Sequence, residues 1–409
     1  MTKAGVRLLG VGSIGTLLAH HLRLSSPSTP LTLLLRSPSS FPSSIKVVRD
    51  GKESHSSGYR VETSLSDGSN DNNASKEPVS SLIIATKTTQ TLQALEPLIP
   101  RLNGNSTIAL LQNGMGVYQE VISNFFRDEN ARPHFILGTT PHGVSPFSKG
   151  KGHIHHHVAE GEGFIKWGLV NDEAKAVGDQ SVEEWLFRTD GQGVYRDGGL
   201  NRLQPGDLDK VEIPKDREDL MNLKHTIRSL INMEGLNSHF IRYDDLNREL
   251  LLKLVINACN NPTTAILGRG YMKNGVTLSN EWGRDIVDSI VRESSYILLK
   301  HLEASRRSKI TNASTNTITS TKTNTDTDAD LELFEYDHLK KLVYDTILFN
   351  SNNISSMAVD ILQERQTEID YINGYLVKLG NELGCETSVN RLIVDMVKFI
   401  EALQMQKAD

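Results

Sequence analysis

Cysteine is nearly missing from this chain: Cys259 and Cys385 are the two among 409 residues. Two distant thiols make no disulfide framework, so the fold must rest on a packed core, and a reducing compartment suits it. Cys259 reads as a small buried hydrophobe. An excess of basic charge is missing as well, the formal net charge being -6 and the pI near 6.1. Nucleic acid and anionic membrane both need a positive face, and here Lys and Arg are scattered. No apolar run approaches the roughly 20 residues that cross a bilayer. Only Met1 to Gly5 precede the first strand-like run, too short a stretch for a signal or transit peptide. The expectation is a soluble, cytoplasmic protein with neither nucleic acid nor membrane as partner. Its length predicts two domains, at about 100 to 200 residues each.

The N-terminus carries the strongest local signal. Val6 to Val11 is strand-like, the chain turns through Gly10-Val11-Gly12-Ser13-Ile14-Gly15, and Ile14 to Leu24 continues at helical spacing. Such a turn lets a pyrophosphate approach backbone N–H groups at a helix N-terminus, while the third glycine lets helix and strand pack closely. A second strand, Leu31 to Leu35, ends at Arg36 about twenty residues after the last glycine. An acidic residue there would bond a ribose 2'-hydroxyl, whereas Arg pairs with a 2'-phosphate, so Arg36 with Ser37 points to NADPH. The plainer alternative is a surface Arg after a strand.

Further strands end in polar loops. Ser81 to Ala85 leads into Thr86-Lys87-Thr88-Thr89-Gln90, Thr107 to Leu111 into Gln112-Asn113-Gly114-Met115-Gly116, and Phe135 to Gly138 into Thr139-Thr140-Pro141-His142. In an open parallel sheet the ligand lies outside the carboxyl ends of the strands. Lys87, Gln90, Asn113 and the segment up to Val144 should therefore face the same crevice as Gly10 to Gly15. Ile45 to Val48 and Tyr59 to Val61 suggest a hairpin, and Ser66 to Lys76 a polar surface insertion. His153, His155, His156 and His157 invite a metal reading, but no carboxylate or Cys stands at ligand spacing, so an edge strand and no metal are expected. The charged piece from Asn171 to Arg217 reads as an insertion, followed by a helix from Leu220 to Asn232 and a strand from His239 to Ile241.

Beyond Asp244 the pattern becomes helical throughout. The reading is α/β: an N-terminal Rossmann-type dinucleotide-binding domain, residues 1–243 with insertions, followed by an all-helical C-terminal domain, residues 244–409. The polar, aperiodic stretch 305–330 is expected to be a disordered loop. Helices are expected over Trp282 to Leu302, Leu331 to Asn350 and Ser388 to about Leu403, with Ser355 as a plausible N-cap. Asp244 to Asn261 holds Leu250, Leu251, Leu254, Val255 and Ala258 at helical spacing, a helix closed by Pro262. Lys253, Asn257 and Asn261 then share one face, each one turn above the last. Asn is a poor helix former, so the pair is not there for helical stability. A solvated face is the alternative.

This constellation resembles the ketopantoate reductase family, the 2-dehydropantoate 2-reductases. The motifs that carry the resemblance are Gly10-Val-Gly12-Ser-Ile-Gly15, Thr86-Lys87, Gln112-Asn113-Gly114-Met115-Gly116, Gly138-Thr139-Thr140, Lys253-Leu-Val-Ile-Asn257 with Asn261-Pro262, Ser355-Ser356-Met357 with Asp360, and Thr367-Glu368-Ile369-Asp370. The resemblance implies NADPH-dependent reduction of a 2-oxo acid, ketopantoate, during pantothenate synthesis. It implies Lys253 as proton donor, Asn257 and Asn261 on the substrate's hydroxyl and carbonyl groups, and Ser356 on its carboxylate. Asn113 would lie near cofactor and substrate, Lys87 and Gln90 on the cofactor side, Glu368 at the nicotinamide end, and Val144 at a backbone contact to the cofactor. A further substrate-contacting Asn of the family has no secure match: Tyr271 stands at its spacing and Asn274 is displaced. Two other readings stay open, a related NADPH-dependent dehydrogenase of 2-oxo or 3-hydroxy acids and a non-catalytic NADPH-binding regulator. Oligomeric state is open too, a homodimer included.

Overall fold

The first strand, β1 (Val6–Leu9), is buried at every position, as are β2 (Leu31–Leu35), β6 (Ser81–Ile84) and β7 (Thr107–Leu111). Strands covered on both faces read as continuous apolar runs, which is why the sequence shows no polar alternation in them. The computed structural model describes residues 5–36, 41–63, 77–147, 151–187, 196–197, 200–268, 271–315 and 331–406. These divide into two units, Met1–Gln112 with Val117–Arg248, and Asn113–Gly116 with Glu249–Asp409.

The first unit also holds β3 (Ser44–Arg49), β4 (Lys52–Ser57), β5 (Arg60–Thr63), β8 (His134–Thr139), β9 (Val144–Pro146), β10 (His153–His156), β11 (Ile165–Leu169), β12 (Arg196–Asp197), β13 (Leu200–Leu203) and β14 (Ser238–Ile241). Its helices are α1 (Ser13–Ser25), α2 (Thr91–Leu95), α3 (Val117–Phe125), α4 (Val182–Leu186), α5 (Pro205–Lys210) and α6 (Glu218–Ile231). One sheet runs β12-β13-β14-β11-β8-β7-β6-β1-β2-β5, with β5, β2, β1, β6, β7 and β8 mutually parallel. From β1 the strand order departs in both directions, so the turn after β1 lies at a topological switch point. A smaller sheet, β4-β3-β10-β9, sits against α1, where His20 Nδ1 meets Ser56 Oγ of β4 at 2.7 Å.

The second unit is helical, and its described residues form no strand. The helices are α7 (Tyr243–Leu267), whose first turns belong to the first unit, α8 (Glu281–Thr315), α9 (Tyr336–Phe349), α10 (Ser356–Leu362), α11 (Asn373–Glu382) and α12 (Ser388–Met405). Leu250, Leu251, Leu254, Val255 and Ala258 of α7 are buried. Among the described residues no helix is long and apolar enough to cross a membrane.

Several expectations are corrected. The hairpin is β3 with β4, joined at Asp50 and Gly51, both at positive φ, while Tyr59 to Val61 contributes to β5, which pairs in parallel with β2. An Asp-Gly pair is the usual hairpin signal, since both positions tolerate that backbone. β10 is no edge strand, having β3 on one side and β9 on the other. Residues 305–315 are not loop but the last turns of α8, because adding turns to an existing helix costs far less than nucleating one. Residues 316–330, the insertion Ser66 to Lys76 and Ser37 lie outside the described residues. The piece after Asn171 adds β13 to the sheet through β14. Pro262 does not close α7 but lies inside it. An interior proline costs about 3 kcal/mol, and here other groups take up the bonds it breaks, as described below.

Candidate active site

The turn after β1 is shaped by what its glycines exclude. Gly10 has φ +91°, and a Cβ there would stand 2.4 Å from the backbone N of Thr86, at the end of β6; one on Gly15 would stand 2.0 Å from the Gly10 carbonyl oxygen. Those two glycines let β1, α1 and β6 approach. Gly12 differs: a Cβ there would meet nothing within 4 Å. It is also the N-cap of α1, with no side-chain cap and no acidic residue in the first turn. The opening turn of α1, with Ser13 and Ile14, thus offers free N–H donors to open space, the arrangement an anionic pyrophosphate needs. The residues fit a dinucleotide.

Of the other predicted residues of this unit, Arg36, Lys87 and Gln90 follow the carboxyl ends of β2 and β6, while Val144 belongs to the smaller sheet. Arg36 is exposed directly after β2, Lys87 is half-buried and Gln90 exposed after β6, and Val144 opens β9. Gln112, at the end of β7, donates from Nε2 to the Thr86 carbonyl at 2.9 Å, tying the β6 and β7 ends together.

In the second unit the polar stripe of α7 gathers partners. Glu368 is 4 % exposed and accepts from Asn113 Nδ2 at 3.3 Å. Asn113 groups with this unit, held there by its neighbours: Gly114 at φ +78° lies so close to Tyr371 that a Cβ would stand 2.4 Å from the Tyr371 carbonyl oxygen, and Met115 N donates to that oxygen at 2.8 Å. Burial pushes the Lys253 ammonium down to about 8, and the Glu368 carboxylate acts against that. Desolvation penalises the charged form while an opposite charge favours it, so Lys253 is poised to hold or release a proton near neutral pH.

Asn257 is half-buried one turn further along α7 and Asn261 is 6 % exposed. Ser356 is exposed at the first position of α10. Ser355 caps that helix by accepting from Ala358 N at 3.1 Å, and its hydroxyl also meets Thr264 Oγ1 at 2.7 Å and the Asn261 carbonyl at 3.4 Å. The turn that bears Asn261 is thereby bound to the turn that bears Ser356. Thr264 was not singled out in the sequence, though a Thr two residues past the proline of an Asn-Pro pair in a helix, where its hydroxyl bonds carbonyls of the preceding turn, is a readable sign of altered backbone bonding. Asn274 is buried with its amide on the Asn350 carbonyl at 3.2 Å, whereas Tyr271 is exposed. Asn274 therefore has a loop-fixing task. Among the described residues no group of three or more His, Cys, Asp or Glu could hold a metal ion.

Comparison with known proteins gives the family. The family model described as ketopantoate reductase PanE/ApbA matches residues 6–172, and its C-terminal counterpart matches residues 245–401. A probable 2-dehydropantoate 2-reductase of Schizosaccharomyces pombe is 29 % identical, covering 96 % of this chain and 95 % of that one. The 2-dehydropantoate 2-reductase of Saccharomyces cerevisiae is 27 % identical over 82 % of this chain and 77 % of its own. A cytochrome B translational activator of the same yeast, CBS2, is 22 % identical over 81 % of this chain and 76 % of its own. Among solved structures, a probable 2-dehydropantoate 2-reductase from Bacillus subtilis superposes with a TM-score of 0.58 at 21 % identity, covering 97 % of this chain and 99 % of that one. With both halves matched by models of one family, the chain belongs to the ketopantoate reductases.

Proposed function

We propose that this protein reduces 2-dehydropantoate (ketopantoate) to pantoate with NADPH, in the cytoplasm. The observation that carries the reading is the Lys253–Glu368 relationship: a lysine brought down to about 8 beside a buried carboxylate, on the helix that bears Asn257 and Asn261. Gly10, Gly12, Ser13, Ile14 and Gly15 would hold the cofactor's pyrophosphate, Arg36 its 2'-phosphate, and Lys87, Gln90 and Val144 would flank it. A bound NADPH would supply the hydride. When a ketone carbon accepts a hydride, charge develops on its oxygen, and a proton donor within reach lowers that barrier. Lys253 Nζ supplies this proton and is left neutral. Asn257 and Asn261 orient the substrate by its hydroxyl and carbonyl groups, Ser356 engages the carboxylate, and Asn113 steadies Glu368.

The likeness to a translational activator favours a second reading, a dinucleotide-binding regulator without turnover. The presence of Lys253, Asn257, Ser356 and Glu368 counts against it. Purified protein should oxidise NADPH with ketopantoate faster than with a panel of other 2-oxo acids. Tight NADPH binding by calorimetry without oxidation on any of them would overturn the reductase reading in favour of the regulator. A better substrate elsewhere in the panel would favour a neighbouring dehydrogenase.

A further inference from the structure

Pro262 has no N–H to offer the carbonyl of Ala258, four residues earlier in α7. That carbonyl instead accepts from Asn373 Nδ2, at the start of α11, at 3.1 Å. The same nitrogen donates to Asn390 Oδ1 at 2.9 Å, and Asn390 Nδ2 donates to Glu293 Oε1 at 2.7 Å. Glu293, on α8, also accepts from the backbone N–H groups of Val389 and Asn390 at 2.9 and 2.8 Å. Because both Glu293 oxygens accept, Asn390 turns its NH2 toward them and its oxygen toward Asn373. The Asn373 NH2 is then the group that faces α7. Asn373 and Asn390 are both 0 % exposed, so water offers neither an alternative partner.

The place of this bond gives it meaning. Ala258 directly follows Asn257 and Asn261 directly precedes Pro262, so the break in the backbone ladder falls between the two substrate amides. Whatever holds the Ala258 carbonyl sets how the turn of Asn257 is disposed to the turn of Asn261. We propose that Asn373 is a positioning residue: it replaces the bond that Pro262 removes and thereby fixes the relative aim of Asn257 and Asn261. The proposal rests on the reductase reading for what those amides bind.

Three variants test it: Asn373→Ala, Pro262→Ala and the two combined. Asn373→Ala should raise KM for ketopantoate about tenfold, the worth of one well-placed hydrogen bond, with kcat changed less and NADPH affinity kept. A residue that merely held helices together would lower the melting temperature and leave KM at the wild-type value well below it. Pro262→Ala gives the Ala258 carbonyl an N–H within the helix, so the stability lost on removing Asn373 should be smaller in that background than in the wild type. Should Asn373→Ala alone fail to fold, the double variant is expected to fold. A wild-type KM in folded Asn373→Ala, stability losses that simply add, or failure of both variants to fold would overturn the proposal. The denaturation comparison needs no substrate, so it reads even on a protein that leaves ketopantoate untouched, the result that would count against the reductase reading instead.

Discussion

Asn113 donates its side-chain amide to Glu368 at 3.3 Å across 255 positions of sequence. The carboxylate it steadies is the charge that opposes the burial of Lys253. Glu368→Gln removes that opposition, so Lys253 should give up its proton more readily. The alkaline limb of kcat/KM for reduction should move down by about one pH unit. A limb that stays in place would separate Glu368 from the titration of Lys253.

The role proposed for Lys253 sets the expected sign of the pH dependence. With Lys253 as the proposed proton donor, reduction uses its charged form, so the wild-type rate should fall as pH rises through about 8, and the reverse oxidation should rise over the same interval. Lys253→Ala should cost roughly a hundred- to ten-thousand-fold in kcat, about 3 to 5.5 kcal/mol of barrier. If the folded, NADPH-binding variant instead shows raised KM with kcat kept, Lys253 attracts the carboxylate and donates nothing.

Arg36 is the residue we propose to bind the cofactor's 2'-phosphate. Its exposed side chain directly follows β2, and on that proposal Arg36→Asp turns an attraction into a repulsion. NADPH affinity should drop steeply while NADH binding changes little. Calorimetric affinities equal to wild type for both cofactors would take Arg36 out of the site.

Acid should weaken the first unit through its histidines. The Leu236 carbonyl fixes His142 Nε2 as a donor at 3.1 Å, so His142 Nδ1 accepts from His156 Nε2 at 3.0 Å. That leaves His156 Nδ1 bare and buried, without a partner among the described residues. Protonation there would add an N–H with nothing to receive it. Desolvation brings His156 and His21 down to about 3 and His20 to about 4. Unfolded, each would titrate near 6.5, so below that pH the unfolded chain binds more protons and stability is lost as pH falls. The denaturant midpoint should be flat above about pH 7 and decline toward pH 5, with a shallower decline for His156→Gln. An equal slope in that variant would clear His156 of the effect.

What could be read in the sequence was what is local. The glycine turn, the buried strand runs and the four-residue spacing of Lys253, Asn257 and Asn261 each depend on neighbours in the chain. The parallel pairing of β5 with β2 could not be read, since register between strands is fixed by tertiary contacts. Pro262 looked like a helix end because the group that compensates it, Asn373, lies 115 positions from the Ala258 carbonyl it serves. Glu368 entered only through family likeness, since nothing in its own neighbourhood marks it as the partner of a lysine. The tie from Ser355 and Thr264 to the Asn261 turn likewise joins residues 91 apart.

Asn113–Gly116 groups with the helical unit although it is made long before it. At about 5 to 20 residues per second, roughly 10 to 50 seconds of translation separate Asn113 from the partner it will hold. During that interval Tyr371, whose carbonyl takes up the Met115 N–H in the finished fold, does not yet exist. The second unit is consequently finished only by reaching back to the first half of the message, and no contiguous stretch of the gene encodes it whole.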